Sequence, residues 1–198
     1  MSRFERSFFV ALLMAVTSIG HAQSDPNVDL ARRTRADLVF PDCAGAPATA
    51  SPPPEVAEVL QERVARVAAD AAVRRLLPIV LRSLGLTDEA GHFEAAPPTR
   101  DEASLAALGD DALRLANRLR DASPAGLSVP NSRRAQRAAR LAWGATFPLR
   151  RLRSAPASAV VEMYRDLFAV AHRIDAAASC RIAADVVAGA DAVIRANR

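Results

Sequence analysis

Apolar residues recur at intervals of three or four along most of this chain, and this spacing constrains its fold more than any other feature. The clearest run follows three consecutive prolines and consists of Val56, Val59, Leu60, Val64, Val67, Ala68, Ala71, Ala72 and Leu76. Such spacing places an apolar stripe along one side of an α-helix. No segment combines sustained alternation with the β-branched content of a strand. The sequence therefore predicts an all-α protein.

The same spacing recurs along the chain and predicts a single domain of five to seven helices in a bundle-like or orthogonal array. We expect helices over residues 25–40, 56–85 with a kink or break at Pro78, 99–121, 131–145 and 158–195, the last as one helix or two. Residues 41–54, rich in proline and alanine, and the polar residues 86–98 are predicted loops.

The first 22 residues are typical of a secretory signal peptide. Arg3 and Arg6 precede a short apolar run, and the small residues Gly20 and Ala22 occupy the −3 and −1 positions of a cut after Ala22. The run is too short to span a bilayer, and no cysteine follows it directly to carry a lipid. We therefore expect a helical domain of residues 23–198 in the periplasm, or secreted, without a stable membrane anchor.

The chain has two cysteines, Cys43 and Cys180, and neither belongs to a C-x-x-C motif. In an oxidising compartment such a pair is expected to form a disulfide, here a long-range one; a reactive thiol is the alternative. Every basic residue except histidine is arginine, which together with abundant alanine suggests the codon bias of a GC-rich bacterial genome. The absence of lysine excludes a Schiff base, a P-loop lysine and a lysine general base.

No metal, cofactor or nucleophile motif is recognisable. His92, in the predicted loop, and His172 have none of the spacings of zinc or haem sites. Met163 and His172 lie nine residues apart on one predicted helix, about 13 Å along its axis, and cannot clasp one iron. The segment around Ser128 has proline where a nucleophile elbow requires glycine. We predict no catalytic residue, no metal ligand and no cofactor.

Carboxylates supply the one enzymatic alternative. Glu55, Glu58 and Glu62 share a predicted helix face, and Asp110 and Asp111 are adjacent. A glycosidic hydrolase needs two carboxylates facing each other across a cleft, one of them with a raised pKa. Solvated helix faces are the more common explanation of such residues. An envelope hydrolase that uses Glu58 or Glu62 remains the third functional hypothesis.

Charge is segregated along the chain. Between residues 88 and 111 the acids are Asp88, Glu89, Glu94, Asp101, Glu102, Asp110 and Asp111, with Arg100 as the only base besides His92; residues 122–161 contain no acid and carry Arg133, Arg134, Arg137, Arg140, Arg150, Arg151 and Arg153. Neighbouring helices could pair these two blocks. Alternatively, Arg133, Arg137, Arg140 and Arg150 form a patch for an acidic protein. Nucleic acid is not expected, because only Trp143, itself a core or interface residue, interrupts the arginines.

The leading hypothesis is therefore a non-enzymatic periplasmic protein-binding module whose partner is a protein with an acidic surface. The general profile, a small exported helical protein with one disulfide and no catalytic constellation, is similar to that of periplasmic immunity proteins. The similarity is one of type and implies inhibition of a toxin that targets the cell envelope. A periplasmic carrier of apolar small molecules or lipids is the second hypothesis, since a helix break at Pro78 would open a cavity.

Overall fold

The computed structural model describes residues 26–43, 60–96, 102–146 and 157–196, which contain helices and no strand. The helices are α1 (Pro26–Ala36), α2 (Leu60–Ala71), α3 (Leu77–Ser83), α4 (Thr87–Ala95), α5 (Glu102–Asp121), α6 (Val129–Thr146), α7 (Ala157–His172) and α8 (Ala176–Arg195). A π-helical turn, Ala72–Leu76, joins α2 directly to α3, so the described residues form seven continuous helices. The all-α prediction and the predicted number of helices are confirmed. The leader and residues 44–54 of the predicted loop lie outside the described residues.

The core surrounds the continuous helix formed by α2, the π turn and α3. Its residues Leu76, Leu77, Val80 and Leu81 are completely buried, and it packs against α1, α4, α6, α7 and α8. Alanine, leucine and valine provide most of the remaining core. A core of small aliphatic side chains lets the helices approach closely. This close packing fixes how each outer helix is rotated about its axis and therefore which way its polar face points.

Pro78 does not break its helix. Proline lacks a backbone N–H and its ring clashes with the carbonyl four residues before it, which ordinarily kinks or ends a helix. Here the preceding turn is π-helical, and the N–H of Leu77 donates to the carbonyl of Ala72, five residues back. Pro78 itself is buried near the start of α3. The expected irregularity is present as a wider turn, and no break opens the core at this point.

The prediction that residues 86–98 form a loop is wrong for Thr87–Ala95, which form α4. Leu86, Ala90 and Phe93 are buried at intervals of four and three residues and hold this short helix against the core. Its other positions are polar residues, Gly91 and Ala95, so composition hides the pattern. His92 consequently lies on a helix and not in a loop.

Helix ends account for the other differences. Residues 158–195 form two helices, because Asp175 starts α8 by accepting a hydrogen bond of 2.9 Å from the N–H of Ala178. Helix α6 begins at Val129, two residues before the expected start at residue 131, and the Ser128 hydroxyl accepts a hydrogen bond from the N–H of Asn131. Helix α1 ends at Ala36, before the expected Phe40.

The predicted disulfide is confirmed. Cys43 lies in a 3₁₀ turn after α1, and Cys180 lies in α8, with their Cα atoms 5.1 Å apart. The bond closes a loop with a sequence separation of 137 residues. Within the described residues, no helix is both long enough and apolar enough to cross a membrane.

Candidate functional site on helix α6

The inner side of α6 is built from small residues that fix the helix against its neighbours. Ser132, Ala135, Ala138, Ala139, Ala142 and Ala145 are buried there. The Ser132 hydroxyl donates a hydrogen bond of 3.0 Å to the carbonyl of Leu119, in the last turn of α5. This bond satisfies a carbonyl that the end of a helix otherwise leaves without a partner. The rotation of α6 about its axis is therefore set by the packing of its inner side.

The outer side of α6 carries exposed arginines. Arg133, Arg137 and Arg140 follow each other at intervals of four and three residues and are all exposed; we call these residues the α6 arginine face. Its ends are seven residues, or about 10 Å, apart along the helix axis. Arg134 is exposed beside it, and Val129, 57 % exposed, stands one turn before Arg133. Arg150, the remaining member of the predicted patch, lies outside the described residues.

Within the described part of the chain, the α6 arginine face forms no ion pair. The arginines that pair with carboxylates there belong to α1, the π turn, α2, α3 and α5. A guanidinium presents a rigid fork of donors that matches a carboxylate. The face therefore offers a row of unused donors to a ligand outside the molecule.

Three acids of the acidic segment, residues 88–111, bind bases that lie outside α6. Glu102 accepts a hydrogen bond of 2.8 Å from Arg66 of α2, and Glu94 accepts one from Arg82 of α3. Asp111 contacts its own-helix neighbour Arg114 and lies 3.0 Å from Nε2 of His92. These four contacts use bases from α2, α3, α4 and α5. In three dimensions, these acids of the acidic segment thus form ion pairs away from α6, and the arginines of α6 form a separate cationic row.

The other residues considered from the sequence are dispersed. Glu62 is half-buried on α2, whereas Glu55 and Glu58 lie outside the described residues. Met163 and His172 belong to the same helix, α7, as predicted. Trp143 is half-buried and packs against the core. Of the carboxylates in the enzymatic hypothesis, Asp111 lines a cleft between α4 and α5 together with Glu89 and Asp121.

The structure also contains two open clefts that the sequence did not suggest. One, of about 480 Å³, lies between α4 and α5 and is lined in part by His92, Asp111 and Arg118. The other, of about 450 Å³, lies where the π turn meets α8 and is lined by Arg74, Arg75, Ile79, Glu94, Ala178, Arg181 and Ile182. Asp185, a carboxylate within the apolar stripe of α8, pairs with Arg75, one of the residues that line the second cleft.

Two ion pairs adjoin the second cleft. Asp70 binds Arg74 through both carboxylate oxygens, and Asp185 binds Arg75. Burial raises the pKa of the Asp70 carboxyl, and the adjacent guanidinium of Arg74 opposes this rise only in part. Two of the three arginines that line this cleft, Arg74 and Arg75, are thus paired with carboxylates, in contrast to the α6 arginine face. Neither a protein-family model, nor a curated protein, nor a solved structure matches this chain.

Proposed function

We propose that this protein is a non-enzymatic binding module for another protein and that the α6 arginine face is its contact surface. The observation that carries the proposal is the contrast between paired and unpaired charges. Glu94, Glu102 and Asp111 of the acidic segment are bound by bases of helices other than α6. Arg133, Arg137 and Arg140 are exposed and form no ion pair within the described residues. Arginine is enriched among the residues that dominate protein interfaces.

The partner has an acidic surface. Carboxylates spaced along about 10 Å would meet the three guanidinium groups in turn, and Val129 adds an apolar contact at one end. Complementary charge raises the association rate and suppresses incorrect partners more than it raises affinity. We therefore expect association to slow as salt is added, because salt screens exposed charges.

The setting we propose is the periplasm, with the protein acting as an immunity-type inhibitor of a toxin that targets the cell envelope. Two features support an extracytoplasmic setting: the leader-like N-terminus of the sequence and the Cys43–Cys180 disulfide. An inhibitor needs a rigid surface and no reacting groups. A helix held by close packing and a face without facing carboxylates or a nucleophile meets this requirement.

A pull-down from envelope extract tests the proposal. The test variant carries Arg133→Glu, Arg137→Glu and Arg140→Glu. The control carries Arg33→Glu, Arg173→Glu and Arg195→Glu, which change the net charge equally at exposed positions of α1, of the turn after α7 and of α8. We expect wild type and control to retain the same acidic partner and the test variant to lose at least nine-tenths of it. Equal recovery of every partner by all three proteins would refute the proposed surface.

A further inference from the structure

Three potential metal ligands meet beside the end of α7. The sulfur atoms of Cys43 and Cys180 and a ring nitrogen of His172 all lie within 4.8 Å of one another. They come from three separate elements: the 3₁₀ turn Pro41–Cys43, helix α7 and helix α8. The sequence separates His172 from Cys43 by most of the domain, so only the fold brings this set together.

We propose that reduction of the Cys43–Cys180 bond converts this cluster into a zinc site with Cys43, Cys180 and His172 as ligands. Thiolate sulfur and imidazole nitrogen are the ligands that Zn²⁺ prefers, at about 2.3 Å and 2.0–2.1 Å respectively. Three protein ligands leave the fourth tetrahedral position to water. The inference is independent of the α6 arginine face, because it uses none of its residues.

The backbone already places the ligands at suitable separations. Sulfurs of a tetrahedral zinc site are about 3.8 Å apart, given the zinc–sulfur distance. The two cysteine Cα atoms are 5.1 Å apart, so once the covalent bond is broken, rotation of the side chains brings the sulfurs to that separation. A ring nitrogen of His172 lies within 4.8 Å of both sulfurs. Nitrogen and sulfur ligands of a tetrahedral zinc site are about 3.6 Å apart, so a shift of no more than about 1 Å brings this nitrogen to the same ion.

Aromatic packing holds the histidine next to the cysteines. The ring of His172 stacks on Phe168, with centroids 5.3 Å apart and planes inclined by 28°. Phe168 in turn stacks on Phe40, three residues before Cys43, with centroids 3.6 Å apart. Because Phe40 and Cys43 belong to the same short segment, this stack couples the position of the imidazole to that of the cysteine.

The chemistry requires a dithiol reductant. Its two thiols give two electrons and two protons to the protein disulfide, which becomes two cysteine thiols, while the reductant closes its own disulfide. Binding of Zn²⁺ then displaces the two thiol protons, and His172 binds as the neutral imidazole. The disulfide and the ion therefore exclude each other. Both fasten the 3₁₀ turn to α8, but only the ion also fastens α7.

The test uses Co²⁺ as a spectroscopic substitute for Zn²⁺ in the full-length protein, reduced without oxygen. We expect one Co²⁺ per chain, with thiolate-to-cobalt charge transfer and the intense visible bands of a tetrahedral site, and displacement by one equivalent of Zn²⁺. His172→Phe keeps the ring stack but removes the ligand, and should weaken binding at least tenfold. The control is His92→Phe, at an exposed position of α4, and it should bind Co²⁺ like wild type.

Three results would overturn the proposal. The first is equal Co²⁺ binding by the oxidised protein, the reduced protein and the Cys43→Ser/Cys180→Ser variant. The second is unchanged affinity in His172→Phe. The third is a reduced chain that loses its helical circular dichroism and does not regain it with Zn²⁺. Retention of the spectrum by the α6 charge-reversal variant would confirm that the metal site and the proposed protein-binding surface are separate.

Discussion

Arg75 in the π turn donates a hydrogen bond of 2.7 Å from Nη2 to the carboxylate of Asp185 on α8, whose side chain is only 3 % exposed. Loss of the guanidinium would remove this ion pair from a carboxylate in a poorly solvated place. We expect Arg75→Met to lower the free energy of unfolding by about 3 kcal/mol.

Urea denaturation measures this effect. Arg82→Met removes the exposed pair with Glu94 and should cost less than about 1 kcal/mol. The double variant Arg75→Met/Asp185→Leu should recover much of the loss, since it removes both charges together. Equal costs for Arg75→Met and Arg82→Met would contradict the importance of burial for this pair.

Gly109 marks the closest approach of α5 to α6. A Cβ atom added there would lie 1.8 Å from Oγ1 of Thr146, a buried side chain whose hydroxyl donates to the carbonyl of Trp143. We expect Gly109→Ala to destabilise the protein by about 2 kcal/mol, because overpacking forces the helices apart. Gly91→Ala on α4 meets no atom within 4 Å and should stabilise by about 0.5–1 kcal/mol. Thermal denaturation of both variants measures the two effects. A higher melting temperature for Gly109→Ala than for wild type would disprove the close contact.

The hydroxyl of Tyr164 is buried and has no hydrogen-bond partner among the described residues. Burial raises the pKa of the phenol above its ordinary value, and the nearby positive charge of Arg75 offsets only part of this. We expect Tyr164→Phe to raise stability at neutral pH by about 1 kcal/mol, because it removes an unsatisfied buried polar group.

The same residue predicts a pH dependence. A pKa that is higher in the folded than in the unfolded protein contributes stability that is fully present below the unfolded value, near 10, and is lost as the pH rises above it. Wild type should therefore lose more stability above pH 10 than Tyr164→Phe does. Since the chain has a single tyrosine, its ultraviolet tyrosinate absorbance reports this group alone. Ionisation of the folded protein with the midpoint of an exposed tyrosine would count against the prediction.

The disulfide should provide a large share of the stability of this small-residue core. The chain-entropy model gives about 5 kcal/mol for a loop of this length. We expect Cys43→Ala/Cys180→Ala to lower the free energy of unfolding by up to that amount, mainly because the unfolded chain gains conformational freedom when the crosslink is absent. Denaturation of oxidised wild type and of the double variant in the same buffer is the measurement. A difference below about 1 kcal/mol would show that the core stabilises the fold without the disulfide.

Local signals predicted the elements that depend on local interactions. Apolar periodicity and turn residues predicted that α5 ends at Asp121 and that a turn follows it. The expected oxidising compartment predicted the pairing of the two cysteines. Helix α4 escaped prediction because its two buried residues, Ala90 and Phe93, and the buried Leu86 just before it stand among polar residues and Gly91. A short helix of this kind is stabilised by the core it meets more than by its own propensity.

The charges show where sequence reasoning ends. The arginines of α6 were recognisable as a row, because helical spacing alone places Arg133, Arg137 and Arg140 on one side. The sequence did not reveal which bases neutralise the acidic segment, because Glu102 meets Arg66 only when α5 packs near α2. The π turn and the cluster around His172 likewise depend on the packing of distant segments.

The Cys43–Cys180 bond gives the polypeptide the topology of a ring with two short tails. Helix α1 and most of α8 belong to the tails, and α2 to α7 all lie on the ring. A protease that cuts once anywhere on the ring therefore opens it without releasing any fragment, so a nicked molecule still migrates as one species until it is reduced. A single cut on the ring then changes the connectivity of the chain and removes none of its mass.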